Sequence, residues 1–246
     1  MFSTMAGSSA LDEVRQRLNA LVSCNQPPLR QPSLALSWAE FDALLPDGGL
    51  PHGVVELSAP FSLGGGTMVA LAAIQAAQRK DSRAWCAWID PTRTLYAPGV
   101  VMAGVELHRL FIVRPPRSFL YATVWRMAVK MARAKAFAVI VLDDDPVGGA
   151  AEDHRRGTRP QHDRSREVLV RKLALLAAEG GSTVLLLTDA RKTHSAPLPV
   201  ALRLELERAP EAIRVRIGKD RYGRGGLVKT VLLQDRPSLH LFPMAG

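Results

Sequence analysis

The sequence predicts an α/β fold: a mostly parallel sheet flanked by helices and extended by antiparallel strands at its C-terminal edge. Three observations lead there. Short, nearly all-apolar runs recur along the chain, among them Val54–Leu57, Ala84–Ile89, Phe137–Leu142 and Thr183–Leu187. Such runs suit parallel strands covered on both faces. Between them lie longer segments whose apolar residues recur at helical spacing. After residue 199 the pattern switches: Val200, Leu202, Leu204 and Leu206 alternate with Arg203, Glu205 and Glu207, and Ile213, Val215 and Ile217 alternate with Arg214 and Arg216. Alternation of this kind belongs to antiparallel strands with one wet face.

The elements follow in order. Leu11, Val14, Leu18, Leu21 and Val22 predict a short amphipathic helix, and Pro27, Pro28 and Pro32 an extended linker after it. Residues 1–32 are therefore expected to form an arm and linker, and 33–246 a core with a C-terminal tail. Strand 54–57 leads through the glycine cluster Gly64–Gly66 to a helix over Thr67–Lys80, a βα unit. Ala84–Ile89 is the next strand, ending at Asp90, and Leu110–Val113 a third. A helix over Ser118–Arg133 precedes the strand Phe137–Leu142. The stretch 146–166 is polar and aperiodic and reads as a loop. A helix over Glu167–Ala178 is expected to turn Val168, Leu169, Leu173, Leu175 and Leu176 inward before strand Thr183–Leu187. Val228–Leu233 completes the sheet after the turn YGRGG. Trp85 and Trp88, both on one buried strand, are expected in the core.

Composition narrows the function classes. With 47% hydrophobic and 22% charged residues the chain has globular composition, and no apolar run reaches the ~20 residues that cross a bilayer. The N-terminus lacks a basic segment followed by an apolar one, so a cytoplasmic location is expected. Cys24 and Cys86 have no CxxC spacing, and the six histidines show no paired spacing. No metal is expected. Most of the formal charge of +9 lies C-terminal of residue 150. That asymmetry suits an acidic partner, nucleic acid above all; the arginine richness of a base-biased genome accounts for it equally well.

The passage VVELSAPFSLGGGTMVALAAIQAAQ carries the most information. A phosphate-binding P-loop needs G-x-x-x-x-G-K-[ST] between strand and helix: its amides cradle phosphate, its lysine reaches the β/γ-phosphates and its hydroxyl holds magnesium. Here Gly64 and Gly65 lead into the helix, Gly66 stands at the lysine position and Thr67 at the hydroxyl position. No lysine follows before Lys80. Phosphoryl transfer would lack its main cationic anchor, and a glycine turn joining strand to helix accounts for the loop as well. Weak nucleotide binding through loop amides and the helix N-terminus remains open. Asp143, ending the strand AVIVLD, occupies the place of a magnesium-coordinating Walker-B aspartate. Arg155, Arg156, Arg159, Arg164 and Arg166 cluster in the 146–166 stretch and are candidate DNA contacts, although no aromatic residue interleaves them to stack bases.

These segments together resemble a RecA-like P-loop-type core. PDGGLPHGVVEL precedes the degenerate loop as a GGLP-x-G turn and strand precede the recombinase P-loop. TMVALAAIQAAQ, AWCAWID, VIVLD, VRKLALL, VLLLTDA, ALRLELER and VRIGKDRYG follow in the recombinase order, with the basic pair at Lys219 and Arg221. The resemblance spans roughly 34–235. It implies that Thr92 stands where recombinases carry the glutamate that activates water, that Ala190 stands near the sensor position, and that the DNA loop after it is shortened to RKTHSAPLP.

A RecA-like core with a lysine-less ATP site resembles the ImuA family, RecA-like accessories of a bacterial mutagenesis cassette. That resemblance implies a non-enzymatic role: an ATPase-deficient protein-interaction module of the SOS DNA-damage response, working without a cofactor in error-prone translesion synthesis. Its implied partners are ImuB, an inactive Y-family polymerase homologue, and through it a DnaE-type polymerase and the sliding clamp. Recombinases assemble by docking an N-terminal arm on the next protomer, so a look-alike is expected to bind RecA and limit its filaments. The alternatives are a weak ATPase and a single-stranded DNA-binding accessory.

Overall fold

A computed structural model of the chain describes residues 33–60, 65–116, 121–143, 159–190, 198–221, 223 and 225–233. Contacts divide the chain into Met1–Gln31 and Pro32–Gly246, and the description is of the second unit. The arm expected over 1–32, the tail after 233, Cys24 and the RKTHSAP stretch at 191–197 lie outside the described residues.

Ten strands and five α-helices are described. Strands β1 (Ser33–Leu34) and β2 (Leu50–Pro51) form a small antiparallel pair bracketing helix α1 (Ala39–Leu44). Strand β3 (Gly53–Ala59) leads to helix α2 (Gly65–Lys80), then come β4 (Trp85–Ile89), α3 (Ala97–Met102), β5 (Leu110–Val113), α4 (Tyr121–Arg133) and β6 (Phe137–Asp143). Helix α5 (Arg159–Gly180), β7 (Thr183–Asp189), β8 (Leu202–Arg208), β9 (Ala212–Asp220) and β10 (Val228–Leu232) complete the unit. The main sheet has eight strands in the order β10-β9-β8-β3-β7-β6-β4-β5. From β8 to β5 every pairing is parallel, while β9 and β10 add antiparallel. The fold class read from the sequence is the one observed.

The apolar runs explain the parallel part. β3 is buried at every position, and Val139, Ile140, Val141 and Leu142 of β6 are fully buried, as expected where helices cover both faces. One face packs Val55, Leu57, Trp88, Val139, Val141, Leu185 and Leu187 beneath α2. The other packs Val54, Ala87, Ile89, Ile140, Leu142, Val184 and Leu186 beneath α4 and α5. On β9, Ile213, Val215 and Ile217 are buried while Arg214 and Arg216 are exposed, the wet face that the alternation predicts.

The GGLPHG stretch has a local reason. Gly48 sits at φ 71° and a Cβ on Gly49 would lie 2.6 Å from the backbone carbon of Leu34. The first position needs the left-handed region and the second a bare Cα for the chain to pass beneath β1.

Three expectations are corrected. The loop expected over 146–166 is helical from Arg159, so Arg159, Arg164 and Arg166 lie on α5; Pro160 in the first turn is a residue tolerated there because that turn's N–H groups have no intrahelical partner. Val168 and Leu175, expected inward, are 63% and 66% exposed. Trp85, expected in the core, is 48% exposed, whereas Trp88 is buried: Trp85 opens β4 at a register shift against β6.

Candidate functional site

The C-terminal ends of the parallel strands meet the start of α2 in a pocket of ≈ 180 Å³. Ligands of open parallel sheets bind at this end of the strands. Its walls are Leu57, Ala59 and Pro60 from the end of β3, Gly65, Gly66 and Thr67 from α2, Thr94, Asp143, Leu187 and Thr188. The structure thus brings together Gly65, Gly66, Thr67 and Asp143, four of the five residues singled out for a nucleotide site. Gly64 lies outside the described residues. No Lys or Arg is among the described lining residues.

Gly66, at the lysine position, is buried. A Cβ there would meet Leu187 Cδ2 at 3.5 Å and the Leu57 carbonyl oxygen at 3.7 Å, so the helix start rests against strands β3 and β7 at ordinary van der Waals separation. Lys80 stands at the far end of α2; its charge acts on His52, just before the opposite end of β3, where burial first and Lys80 second lower the imidazole pKa.

Asp143 ends β6, 6% exposed, and its Oδ2 lies 3.2 Å from Thr92 Oγ1 and 3.4 Å from Thr94 Oγ1. Asp90, fully buried at the end of neighbouring β4, holds the same turn. Its Oδ1 accepts from the Thr94 amide at 3.0 Å and the Thr92 hydroxyl at 3.3 Å; its Oδ2 accepts from the Leu95 amide at 3.3 Å and Arg114 Nε at 3.0 Å. Arg114 also donates to the Leu95 carbonyl at 2.8 Å. The threonine hydroxyls are 2.9 Å apart. Two hydroxyl hydrogens serve all these oxygens. Asp90 also has two amides and a guanidinium, and the Thr92 hydroxyl lies within reach of both carboxylates. Thr92, where recombinases are expected to carry a water-activating glutamate, therefore touches the Walker-B-like carboxylate with a hydroxyl that has no basicity for that task.

Sequence reading missed the rest of this network. Asp90 was read only as a strand end, and Thr94 and Arg114 not at all; the available signal was polar residues at the C-terminal ends of adjacent apolar strands. It also missed Glu56, fully buried inside the apolar run VVEL. Glu56 Oε1 accepts from the Thr188 hydroxyl at 2.9 Å, and Oε2 lies 3.7 Å from Arg203 Nη1. On the wet side of β8 and β9 the charges continue through Arg203, Glu205 and Arg216, with Arg216 Nη1 3.1 Å from Glu205.

The arginines proposed for DNA are not one loop. Arg155 and Arg156 lie outside the described residues, and Arg159 and Arg164 are on α5, their side chains likewise outside. Arg166 lays its guanidinium 5.4 Å from the ring centre of buried Trp125, a contact that ties α5 to α4. Of the basic pair, Lys219 Nζ donates to the Leu198 carbonyl at 2.7 Å. Ala190 continues β7, its amide donating to the Ala59 carbonyl. Among the described residues no cluster of His, Cys, Asp and Glu could hold a metal, and no helix is long and apolar enough to cross a membrane. Cys86 is a buried free thiol whose pKa burial pushes up to about 11.

Comparison with solved structures places the architecture. The chain is similar to the crystal structure of the RadB recombinase, with a TM-score of 0.63 and 18% identity over 82% of this chain and 97% of that one. The fold is RecA-like. No protein-family model matches the chain, and none of the curated proteins does.

Proposed function

We propose that this protein is an ATPase-deficient RecA-like module that works by binding other proteins in the SOS response. The observation that carries this reading is the chemistry of the pocket at the start of α2. Among the described residues that line it, the one ionisable group is the carboxylate Asp143 and none is cationic. A triphosphate placed there would meet Asp143 with Gly66, not a lysine, at the motif's cationic position. Thr92 beside Asp143 removes the expected base as well. The fold then persists for its surfaces.

One such surface is the parallel edge of the sheet. β5 is its last strand among the described residues, and an edge strand is a template for pairing with another chain. Phe111 on that strand is 51% exposed and stacks on Phe137, with ring centres 6.2 Å apart, next to the half-exposed Trp85. Exposed aromatic residues beside a sheet edge favour a protein partner. Following the resemblance to ImuA, the partners are RecA, whose filament growth the protein limits, and ImuB with its DnaE-type polymerase and sliding clamp, in cytoplasmic translesion synthesis.

Two measurements test this. Saturating Mg·ATP is expected to leave the melting temperature unchanged; a concentration-dependent rise would favour the weak-ATPase alternative. Added protein is expected to slow RecA strand exchange and to be retained by immobilised RecA. Unchanged strand exchange with no retention would sink the RecA limb, and failure to co-purify with ImuB would sink the other.

A further inference from the structure

Helices α4 and α5 lie side by side over one face of the sheet. Arg166 on Trp125 joins them near one end, and Lys135 Nζ, 3.9 Å from Glu179 Oε2, joins the chain just past α4 to the end of α5. The two contacts show the helices running in the same direction, with Lys130 about level with Lys172. Their outward surface is not an ordinary mixed-charge one. Arg126, Lys130 and Arg133 are all exposed at spacings of four and three residues, which puts them in one row about 10 Å long at ~1.5 Å rise per residue. Across from them α5 exposes Arg171 and Lys172. The described carboxylates of α5 are engaged: Glu167 holds Arg171 at 2.6 Å, and Glu179 faces Lys135. Arg126, Lys130, Arg133 and Lys172 have no acidic partner among the described residues.

The same surface carries apolar side chains in the open. Val168 is 63% and Leu175 66% exposed, seven residues apart and so on one side of α5. Single exposed aliphatics are normal. A pair at heptad spacing, bordered by unpaired cations on the neighbouring helix, is a seam of the kind that seats an amphipathic helix.

We propose that the α4–α5 face docks an acidic amphipathic segment of a partner protein, its apolar side on Val168 and Leu175 and its carboxylates on Arg126, Lys130, Arg133 and Lys172. Charge complementarity selects this occupant. A second copy of the chain would bring two like-charged rows together. A nucleic-acid strand would use the cations and leave Val168 and Leu175 in water, and Trp125 on α4 is fully buried and offers bases no ring to stack on. The inference stands apart from the pocket and from the RecA reading.

The test uses the full chain and three probes: a labelled three-heptad peptide with leucines on one side and flanking glutamates, the same peptide with glutamine for each glutamate, and a single-stranded oligothymidine. The acidic peptide is expected to bind, at least tenfold more tightly than the glutamine version at low salt. The R126A/K130A/R133A variant should lose about tenfold and flatten the salt dependence. Val168→Ser with Leu175→Ser should also lose about tenfold while keeping the salt dependence. All five positions are exposed, and an unchanged melting temperature checks that the fold is intact. No binding of the acidic peptide, equal binding of the two peptides, or insensitivity to either variant overturns the proposal. So does tight oligothymidine binding that the triple variant abolishes and the Val168/Leu175 variant spares, which would make the row a phosphate contact.

Discussion

The two faces of the main sheet are both covered by helices, but in opposite ways. Helix α2 is sunk into its face: from Gly65 to Gln78 it is buried at every position but Thr67, with alanines and glycines letting its backbone approach the strands. Helices α4 and α5 bury Trp125, Ala128, Val170, Leu173 and Ala177, yet turn a row of cations and two bare aliphatic side chains to solvent. The α2 face is sealed, and the pocket where α2 begins has no cation among its described lining residues. The α4–α5 face holds unpaired charge and exposed apolar surface, the ingredients of recognition. A fold's geometry and the chemistry of its surfaces are separable, and here the free surface chemistry sits away from the pocket.

The sharpest way to break that contrast is on α5 itself. Leu173 is fully buried and Leu175, two residues on, is 66% exposed. Leu173→Ala should cost about 2–5 kcal/mol, read as a fall in the urea midpoint at constant m-value, while Leu175→Ala should stay within about 0.5 kcal/mol. Equal losses would mean that the outward face of α5 is packed against something, and the contrast between the two faces would fail.

At the pocket, Asp90→Ala should cost somewhat less, about 2–3 kcal/mol, by leaving the Thr94 and Leu95 amides without an acceptor. Arg114, with its side chain 44% exposed, recovers water and limits the loss. Thr92→Val removes only a hydroxyl and should cost about 1 kcal/mol. If Asp143 were poised for chemistry, this variant would alter nucleotide response rather than stability; calorimetry with and without Mg·ATP separates the two, and a stability change alone is expected.

Much of the fold was legible because burial on both faces writes itself as unbroken apolar runs: β3, β4, β6 and β7 each coincide with one. The wet edge was legible from alternation. What escaped had physical reasons. Helices α1 and α3 are six residues each, too short for periodicity to register, and α3 contains Pro98. The outward placement of Val168 and Leu175 was illegible because residues 168–170 and 173–178 are all apolar, so α5 is hydrophobic around most of its circumference and its pattern does not say which side faces the sheet. Glu56 escaped because a single buried charge inside a strand is stabilised by partners distant in sequence, Thr188 and Arg203. In the pocket, Thr67 and Asp143 were legible by their positions in a motif, whereas the Asp90–Thr92–Thr94–Arg114 network depends on strand order, which brings β4, β5 and β6 side by side. The residues that hold the site together are therefore the ones a motif does not name.

The smallest expected effect concerns the end of the sheet opposite the pocket, where His52 precedes β3. Burial, and then the charge of Lys80, lower its pKa. A base with a lower pKa in the folded state binds fewer protons there than in the unfolded chain, so stability contributed by the neutral ring is present above the unfolded value near 6.5 and declines as pH falls through the folded value. The urea midpoint should therefore drop between pH 7.5 and about pH 5.5 more in the native protein than in His52→Gln. Cys86 adds an opposite signature at the alkaline end. Its thiol, pushed up to about 11 by burial, stays protonated in the fold while an unfolded thiol ionises near 9, so stability falls as pH climbs past 9. In a Cys24→Ser background, Cys86 should then resist thiol reagents at pH 8 until the protein unfolds. Rapid modification of the native state would show that the α2 face, where Cys86 is packed, opens readily, and that the sealed side of the molecule is not sealed.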